Sequence, residues 1–254
     1  MKKLFVFLSL CILFFGCTKN YGDPTTKHYP ISSSFTELRV SNAFQVIASD
    51  EVTDVVVTVD DLAHNNVVVK VIDGKLHIGF KPSTRYNGST PKAIIPATAD
   101  LRSIELSGAS SFTGDIYGNN VDIELSGASS FTGDLDGHDV DIDLSGSSRF
   151  EGLLVDAEDI DIDLSGASLA LFHGVCQNKM DINISGASQL DASLLETPSV
   201  GGSMSGASIA DVTVCSNLNV SLSGASKLIY GLSYPDCNPN VNCPCSGGST
   251  VRPR

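Results

Sequence analysis

The sequence predicts an all-β chain, a parallel β-solenoid (β-helix) of about seven coils of 18–20 residues with an N-terminal β-rich cap. Three observations predict it. A Ser-Gly-Ala/Ser-Ser tetrapeptide begins at Ser107, Ser126, Ser145, Ser165, Ser185, Ser205 and Ser223, with spacings of 19, 19, 20, 20, 20 and 18. The copies follow segments that alternate apolar and polar residues, the period of a half-buried strand. Glycine is abundant at 23, aromatics are only 7% and tryptophan is absent, which suits short strands and tight turns rather than a helical bundle.

The 254 residues are 42% hydrophobic, enough for a sizeable core and too apolar for global disorder. Lys+Arg total 16 against 29 Asp+Glu, a formal net charge of -13. That charge excludes nucleic acid as a main partner, because phosphate binding needs a basic surface. It is also uneven. Residues 101–226 hold 19 acids and 3 bases, a net of -16, and the rest hold 10 acids and 13 bases, a net of +3.

The elements follow in chain order. Lys2 and Lys3 precede an apolar run, Leu4 to Phe15, broken only by Ser9. Residues 1–16 therefore read as a lipoprotein signal peptide. Gly16-Cys17 resembles a lipobox edge, with Phe14 and Phe15 where an aliphatic and a small residue are usual; an ordinary cleaved signal is the alternative. Cys17 is the expected lipid-attachment site and the membrane the expected partner through that lipid. The expected localisation is export, as an outer-membrane lipoprotein facing the periplasm or the cell surface. Residues 17–30, polar with two prolines, read as a flexible tether.

Residues 31–100 read as an N-terminal β region or cap. Its candidate strands are Glu37–Val40, Phe44–Ala48, Asp54–Val59, Asn66–Ile72 and Lys75–Phe80, with Asp73-Gly74 as a type I′ hairpin turn. The continuous Val55-Val56-Val57 suggests a strand covered on both faces. Residues 101–232 form the repeat solenoid. Ile104 and Leu106, Ile123 and Leu125, Ile142 and Leu144 and their successors face inward, and the second residue of each turn, always Gly, can take φ > 0. One such unit cannot bury its own apolar face, but stacked units share a core at a rise of about 4.8 Å per coil. Phe112, Phe131 and Phe150 should stack inside, with Ala170, Leu190, Ala210 and Leu228 continuing their column in a narrower interior. The serine column is expected to exchange hydroxyl hydrogen bonds along the rod. A chain of antiparallel hairpins is the competing arrangement, but it would not place one tetrapeptide at every coil.

Residues 233–254 read as a Cys/Pro-rich tail. A disulfide from Cys237 to Cys243 or Cys245 is expected there in preference to a zinc site, since the tail has no His. Cys176 and Cys215, two coils apart, are expected to be free.

The acidic ladder is the best candidate for chemistry. Asp122, Asp141, Asp161 and Asp181 should form one outward column and Glu124, Asp143 and Asp163 the next. Like charges at the strand spacing repel. Screening by solvent and counter-ions is the expected relief, with Ca²⁺ held between carboxylates as the alternative cofactor. No catalytic residues emerge. There is no G-x-S-x-G elbow, and His28, His64, His77, His138 and His173 are scattered. A pectinase-like β-helix carbohydrate-active enzyme is the runner-up reading, and the coils are expected to be too regular to leave a cleft.

The lipoprotein signal, the segment Phe35-Thr-Glu-Leu-Arg-Val-Ser-Asn-Ala-Phe-Gln-Val-Ile, the segment Val67-Val-Val-Lys-Val-Ile-Asp-Gly-Lys-Leu-His-Ile and the Ser-Gly-Ala-Ser repeats together resemble the DUF2807 family, also called the putative auto-transporter adhesin, head GIN domain family, common in Bacteroidetes. The resemblance covers roughly residues 31–230, with Asn42-Ala43-Phe44 standing where a Gly-Ile-Asn-like stretch is expected. It implies a solenoid-type envelope protein, with no catalytic residues to carry across. The expectation is a non-enzymatic, lipid-anchored adhesin or surface-interaction module whose partner is a glycan or a host or matrix protein.

Overall fold

The computed structural model describes residues 22–98 and 100–254, so the signal peptide and Cys17 lie outside the described residues. Within them the chain is nearly all β and winds into a parallel solenoid of about eight turns. The Ser-Gly-Ala-Ser tetrapeptides make this possible. Gly166 sits at φ +75°, and a Cβ there would strike the backbone of Gly146 in the turn below. Only glycine lets one turn nest on another. The nested turns are then stitched by Ser165 N→Leu144 O (2.9 Å), Ala167 N→Gly146 O (2.7 Å) and Leu169 N→Ser148 O (2.9 Å).

The last serine of each turn is buried and closes it from within, as Ser168 Oγ donates to Ser165 O at 2.6 Å. Ser110, Ser129, Ser148 and Ser226 make the same bond, whereas Ser188 and Ser208 are buried with no partner for their hydroxyls. The first serine of each turn is oriented outward and leans on the carbonyl one coil below, as in Ser145 Oγ→Leu125 O at 3.4 Å. The bonds that these serines make in the turns thus go to backbone carbonyls and not, as expected, from serine to serine along the rod.

The strands before β15 are short. They are β1 (Pro24–Tyr29), β2 (Glu37–Val40), β3 (Gln45–Ser49), β4 (Val55–Asp60), β5 (Val67–Ile72), β6 (Lys75–Phe80), β7 (Lys92–Pro96), β8 (Ser103–Leu106), β9 (Ser111–Thr113), β10 (Ile116–Tyr117), β11 (Asn120–Leu125), β12 (Ser130–Thr132), β13 (Leu135–Asp136) and β14 (Asp139–Leu144). Thereafter the strands run through the corners: β15 (Arg149–Leu164), β16 (Leu169–Ile184), β17 (Gln189–Met204) and β18 (Ile209–Leu222), followed by β19 (Lys227–Leu232), β20 (Asn240–Val241) and β21 (Thr250–Pro253). Before the serine turn, β2, β8, β11, β14 and the second halves of β15–β18 stack into one face. After it, β3, β9, β12, the first halves of β15–β18, β19 and β21 stack into another.

Register is strict. Ile104, Ile123, Ile142, Ile162 and Ile182 lie one above another, fully buried, and Leu106, Leu125, Leu144, Leu164 and Ile184 do the same. Phe112, Phe131 and Phe150 stack at 5.8 and 5.1 Å between ring centroids. Ala170, Leu190, Ala210 and Leu228 continue the column in register. The aromatic ladder does not stop at Phe150, because Phe172, two residues after Ala170, turns inward and stacks on Phe150 at 4.7 Å. That ring fills the space that alanine leaves.

The N-terminal region is a cap built from real coils. β2 and β3 already belong to the two stacked faces, and the Ser41-Asn42-Ala43-Phe44 turn between them takes positive φ at Asn42 (64°) and Ala43 (62°). The chain then moves outward. β6 and β7 lie beneath β2 and β3, and β4, β5 and the 3₁₀ turn Asp61–Asn66 close the end. Asp73 and Gly74, both at positive φ, form the β5–β6 hairpin turn. Val56 is only partly buried, with Val55 and Val57 inside, so β4 alternates as a one-faced strand and is not covered on both faces.

Two boundaries differ from the sequence expectation. The tether does not run to residue 30, because Pro24–Tyr29 is strand β1, paired antiparallel with β4 along its length. Tyr29 Oη lies 2.9 Å from His64 Nδ1 and locks that strand to the 3₁₀ turn. Residues 233–254 are not a loose tail, because β20 and β21 pair onto β18 and β19. Between them Ser246-Gly247-Gly248-Ser249 repeats the turn, with Gly247 at φ +67° and Ser249 Oγ→Ser246 O at 2.8 Å.

The cysteine pairing also differs. Cys237 is bonded to Cys215, with Cα atoms 4.7 Å apart, and Cys176, Cys243 and Cys245 are free. The β20 pairing explains it: Asn242 N donates to Leu218 O at 2.8 Å, which carries Cys243 along β18 and away from Cys237. Cys215 is therefore not a free thiol. Cys176 is buried, its Sγ 3.0 Å from Lys179 O.

Candidate functional site

The in-register stack turns a sequence alternation into a surface. Each inward Ile and Leu is separated by an outward residue, so the residues before the serine turn form straight columns on the rod. Asp122, Asp141, Asp161 and Asp181 are aligned in one column, and Glu124, Asp143 and Asp163 in the next. The second column begins one coil earlier, at Glu105. A third column, Asp139 and Asp159, lies on the other side of the first. Glu105 lies one coil before Glu124, on the outward face that the alternation predicts, and Asp139 and Asp159, two residues before Asp141 and Asp161, were legible by the same alternation.

The columns change chemistry along the rod. At the cap end, Arg39 Nε donates to Glu105 Oε2 at 2.7 Å and Lys75 Nζ lies 3.1 Å from Glu37. In the middle the carboxylates face one another. Beyond them Lys179 Nζ bonds Asp181 at 2.7 Å, and the second column continues as Asn183 and Ser203, with Ser203 Oγ donating to Asn183 Oδ1 at 3.0 Å. The acid patch is thus bracketed by Arg39 and Lys75 at the cap end and by Lys179 with the neutral Asn183 and Ser203 at the other.

Beside the second column lies a lengthwise groove of about 590 Å³. One wall is Glu105, Glu124, Asp143, Asp163 and Asn183, and the other is the first serine of successive turns, Ser126, Ser145, Ser165, Ser185 and Ser205. The coils were expected to be too regular for a cleft. Regularity instead makes one: identical coils place a tall acidic side chain and a short serine on either side of the same buried leucine, and the height difference repeats. The serine hydroxyls hold their backbone carbonyls at 3.3–3.5 Å, long enough to leave their oxygens available to a ligand.

Three of the carboxyls are shifted upward, each chiefly by burial. The Asp143 carboxyl is pushed above the usual carboxylate range by desolvation and then by Asp163, Glu124 and Asp141. Asp122 is pushed up by desolvation and then by Asp141 and Asp143. Asp161 is raised by desolvation, against the pull of Lys179. The columns spread over a flat face and do not converge. Among the described residues no group of three or more His, Cys, Asp or Glu is arranged to hold a metal ion.

A family model described as DUF2807, putative auto-transporter adhesin, head GIN domain, matches residues 34–231. Among solved structures, the chain is similar to a putative adhesin from Parabacteroides distasonis at 22% identity and a TM-score of 0.75, over 92% of this chain and 98% of that one. It is similar to a putative adhesin from Parabacteroides merdae at 17% identity and a TM-score of 0.76, over 92% and 97%. It is also similar to a putative lipid binding protein from Parabacteroides distasonis at 16% identity and a TM-score of 0.70, over 92% and 97%. At these identities the likeness establishes a shared fold. No curated protein matches.

Proposed function

The chain belongs to the DUF2807 family, described as putative auto-transporter adhesin, head GIN domain, and from that premise we propose that it is a non-enzymatic, lipid-anchored envelope protein that holds extended ligands along its groove. The observation that carries this reading is the repetition of the groove itself. Carboxylates recur on four successive coils, from Glu105 to Asp163, and serine hydroxyls on five, from Ser126 to Ser205, about 4.8 Å apart from coil to coil. A surface that repeats suits a ligand that repeats. A polymer lying along the rod, a glycan or an extended matrix polypeptide, meets a carboxylate on each of four coils and a serine hydroxyl on each of five, and many weak contacts sum. Carboxylate acceptors favour hydroxyl, amide or cationic donors on that polymer.

The anchor belongs to the same reading. Cys17 lies seven residues before β1, and β1 sits at the capped end of the rod. An acylated Cys17 holds the cap near a membrane, and about seven extended residues reach roughly 24 Å. The distal coils are then carried outward. Among the described residues no helix is long and apolar enough to cross a membrane, and a lipid supplies the attachment in this scheme.

The test is a binding screen of the soluble chain against glycans, mucin and matrix proteins, run together with an assay for polysaccharide cleavage. Retention on an extended polymer without release of new chain ends is the expected result. Failure to bind any of these ligands, or turnover of one of them, overturns the proposal.

A further inference from the structure

The stacking loses its regularity at the corner that joins the two halves of β16, β17 and β18. Ala192 pairs with Val212 and the next pair is Glu196 with Thr213, so residues 193–195 bulge out of the stack. β16 and β17 slip again between the pairs Val175 with Glu196 and Lys179 with Ser199. One coil further, Leu232 is the last residue of β19 and pairs with Val214. The chain then leaves the stack, and the Cys215–Cys237 bridge pins it back against β18.

The bulge and the pinned segment enclose two adjoining cavities. One, of about 420 Å³, is lined by Val175, Glu196, Pro198, Cys215, Ser233 and Tyr234, among others. The other, of about 430 Å³, is lined by Ser193, Thr213 and Arg254 and shares Glu196 and Ser233 with the first. Both volumes lie in the range of small-molecule sites, roughly 300–1,000 Å³. None of these residues lines the acidic groove.

The lining pairs an apolar platform with polar groups that have bonds to spare. Tyr234 is 59% exposed yet held at two points: its carbonyl accepts from Cys237 N at 3.0 Å, and its Oη donates to Glu196 Oε2 at 2.7 Å. A ring fixed in this way is preorganised for stacking. Glu196, with one bond from Tyr234, keeps acceptor sites for a ligand. The Ser233 hydroxyl is buried with no hydrogen-bond partner among the described residues, a cost that a ligand hydroxyl would relieve. A hydrocarbon would seal off both polar groups unpaired, so the lining selects against it. The Arg254 guanidinium is already taken up by Ser193 O, Thr213 Oγ1 and Asp211, which leaves Glu196 to set the local charge and disfavours an anion. A ring with one apolar face and a rim of neutral hydroxyls meets every one of these demands. We propose that this corner is a binding site for a single neutral hexopyranose, stacked on Tyr234 and hydrogen-bonded by Glu196 and Ser233. The site recognises one sugar ring and does not depend on what lies in the groove.

The experiment is saturation-transfer NMR of the purified full chain with the methyl glycosides of glucose, galactose, mannose and N-acetylglucosamine, followed by titration of those that respond. Tetramethylammonium, which also suits an aromatic ring beside a carboxylate, is the competing probe. The expected result is transfer to the ring protons of at least one glycoside. Tyr234→Ala and Glu196→Ala should each weaken its binding at least about tenfold, whereas Tyr234→Phe, which keeps the platform, should stay within about threefold of wild type. Glu151→Lys, on another part of the coil, should bind as wild type does. Transfer to none of the glycosides, transfer to tetramethylammonium alone, or glycoside binding that Tyr234→Ala leaves intact overturns the proposal.

Discussion

Replacing Asp143 with Asn should stabilise the protein at neutral pH, although the residue lies on the surface proposed to bind. Asp143 is held in register between Glu124 and Asp163, one strand spacing to either side. A like-charged pair directly opposite on neighbouring strands costs about 0.2–1 kcal/mol, so two such pairs cost about 0.4–2 kcal/mol. Asparagine keeps the shape and removes the charge, so the ladder loses that repulsion and can gain an amide hydrogen bond. At about 2–4 °C per kcal/mol for a chain of this size, Tm should rise by about 1–8 °C. The effect should depend on pH with a definite sign. Burial and neighbours raise the Asp143 pKa in the fold, so the folded state binds its proton more tightly than the unfolded chain does. Stability from this group is then fully present in acid and falls as pH rises through the folded pKa. Wild type should therefore gain on Asp143→Asn at pH 7 and lose that advantage near pH 4. The assay is urea unfolding of both proteins at the two pH values. An Asn variant that is less stable at pH 7, or equally affected at both, refutes the reasoning.

Three further outcomes follow from the packing and the charges. Phe131→Ala removes a fully buried ring stacked between Phe112 and Phe150 and should cost about 3–5 kcal/mol, measured by chemical denaturation; a cost under about 1 kcal/mol contradicts the ladder. Cys215→Ser opens a bridge across 22 residues and should lower stability by about 3 kcal/mol, which calorimetry of the two proteins can check against an unchanged Tm. Na⁺ and Ca²⁺ at matched ionic strength should raise Tm alike, because the flat columns offer screening and no converging cage; a rise specific to millimolar Ca²⁺ contradicts this.

Much of the fold was written in the repeats. Seven tetrapeptides at one period fixed the coil, and alternation around Ile123–Leu125 and its equivalents fixed which residues face inward. The acidic columns followed from the same two facts. The features that were hidden depend on contacts between distant segments. β1 looked like tether because its six polar and aromatic residues have no amphipathic pattern; β4, thirty residues on, makes it a strand. The last coil was masked by an insertion, since 23 residues separate Ser223 from Ser246 and Gly248 replaces the usual Ala or Ser. Cys237 lies inside that lengthened interval and Cys215 before it, so their pairing depends on where the last coil docks, which spacing in the tail does not encode. Phe172 is instructive in the same way. Offset counting gave the column to Ala170, and only the volume left beside a small side chain draws the ring two residues later inward. The groove escaped notice because regular repeats suggest a smooth rod, whereas side chains of unequal height repeated in register cut a channel along it.

The claim that most needs a direct test is that the carboxylate–serine groove is where ligand lies. Binding of the soluble chain to its retained polymer should be measured for Asp143→Lys with Asp163→Lys, which invert charge in the groove wall, and for Glu151→Lys, which lies after the serine turn on the other face. The account predicts that the groove double variant loses at least about tenfold in affinity while Glu151→Lys binds as wild type does. Equal binding by all three, or a loss confined to Glu151→Lys, would contradict it.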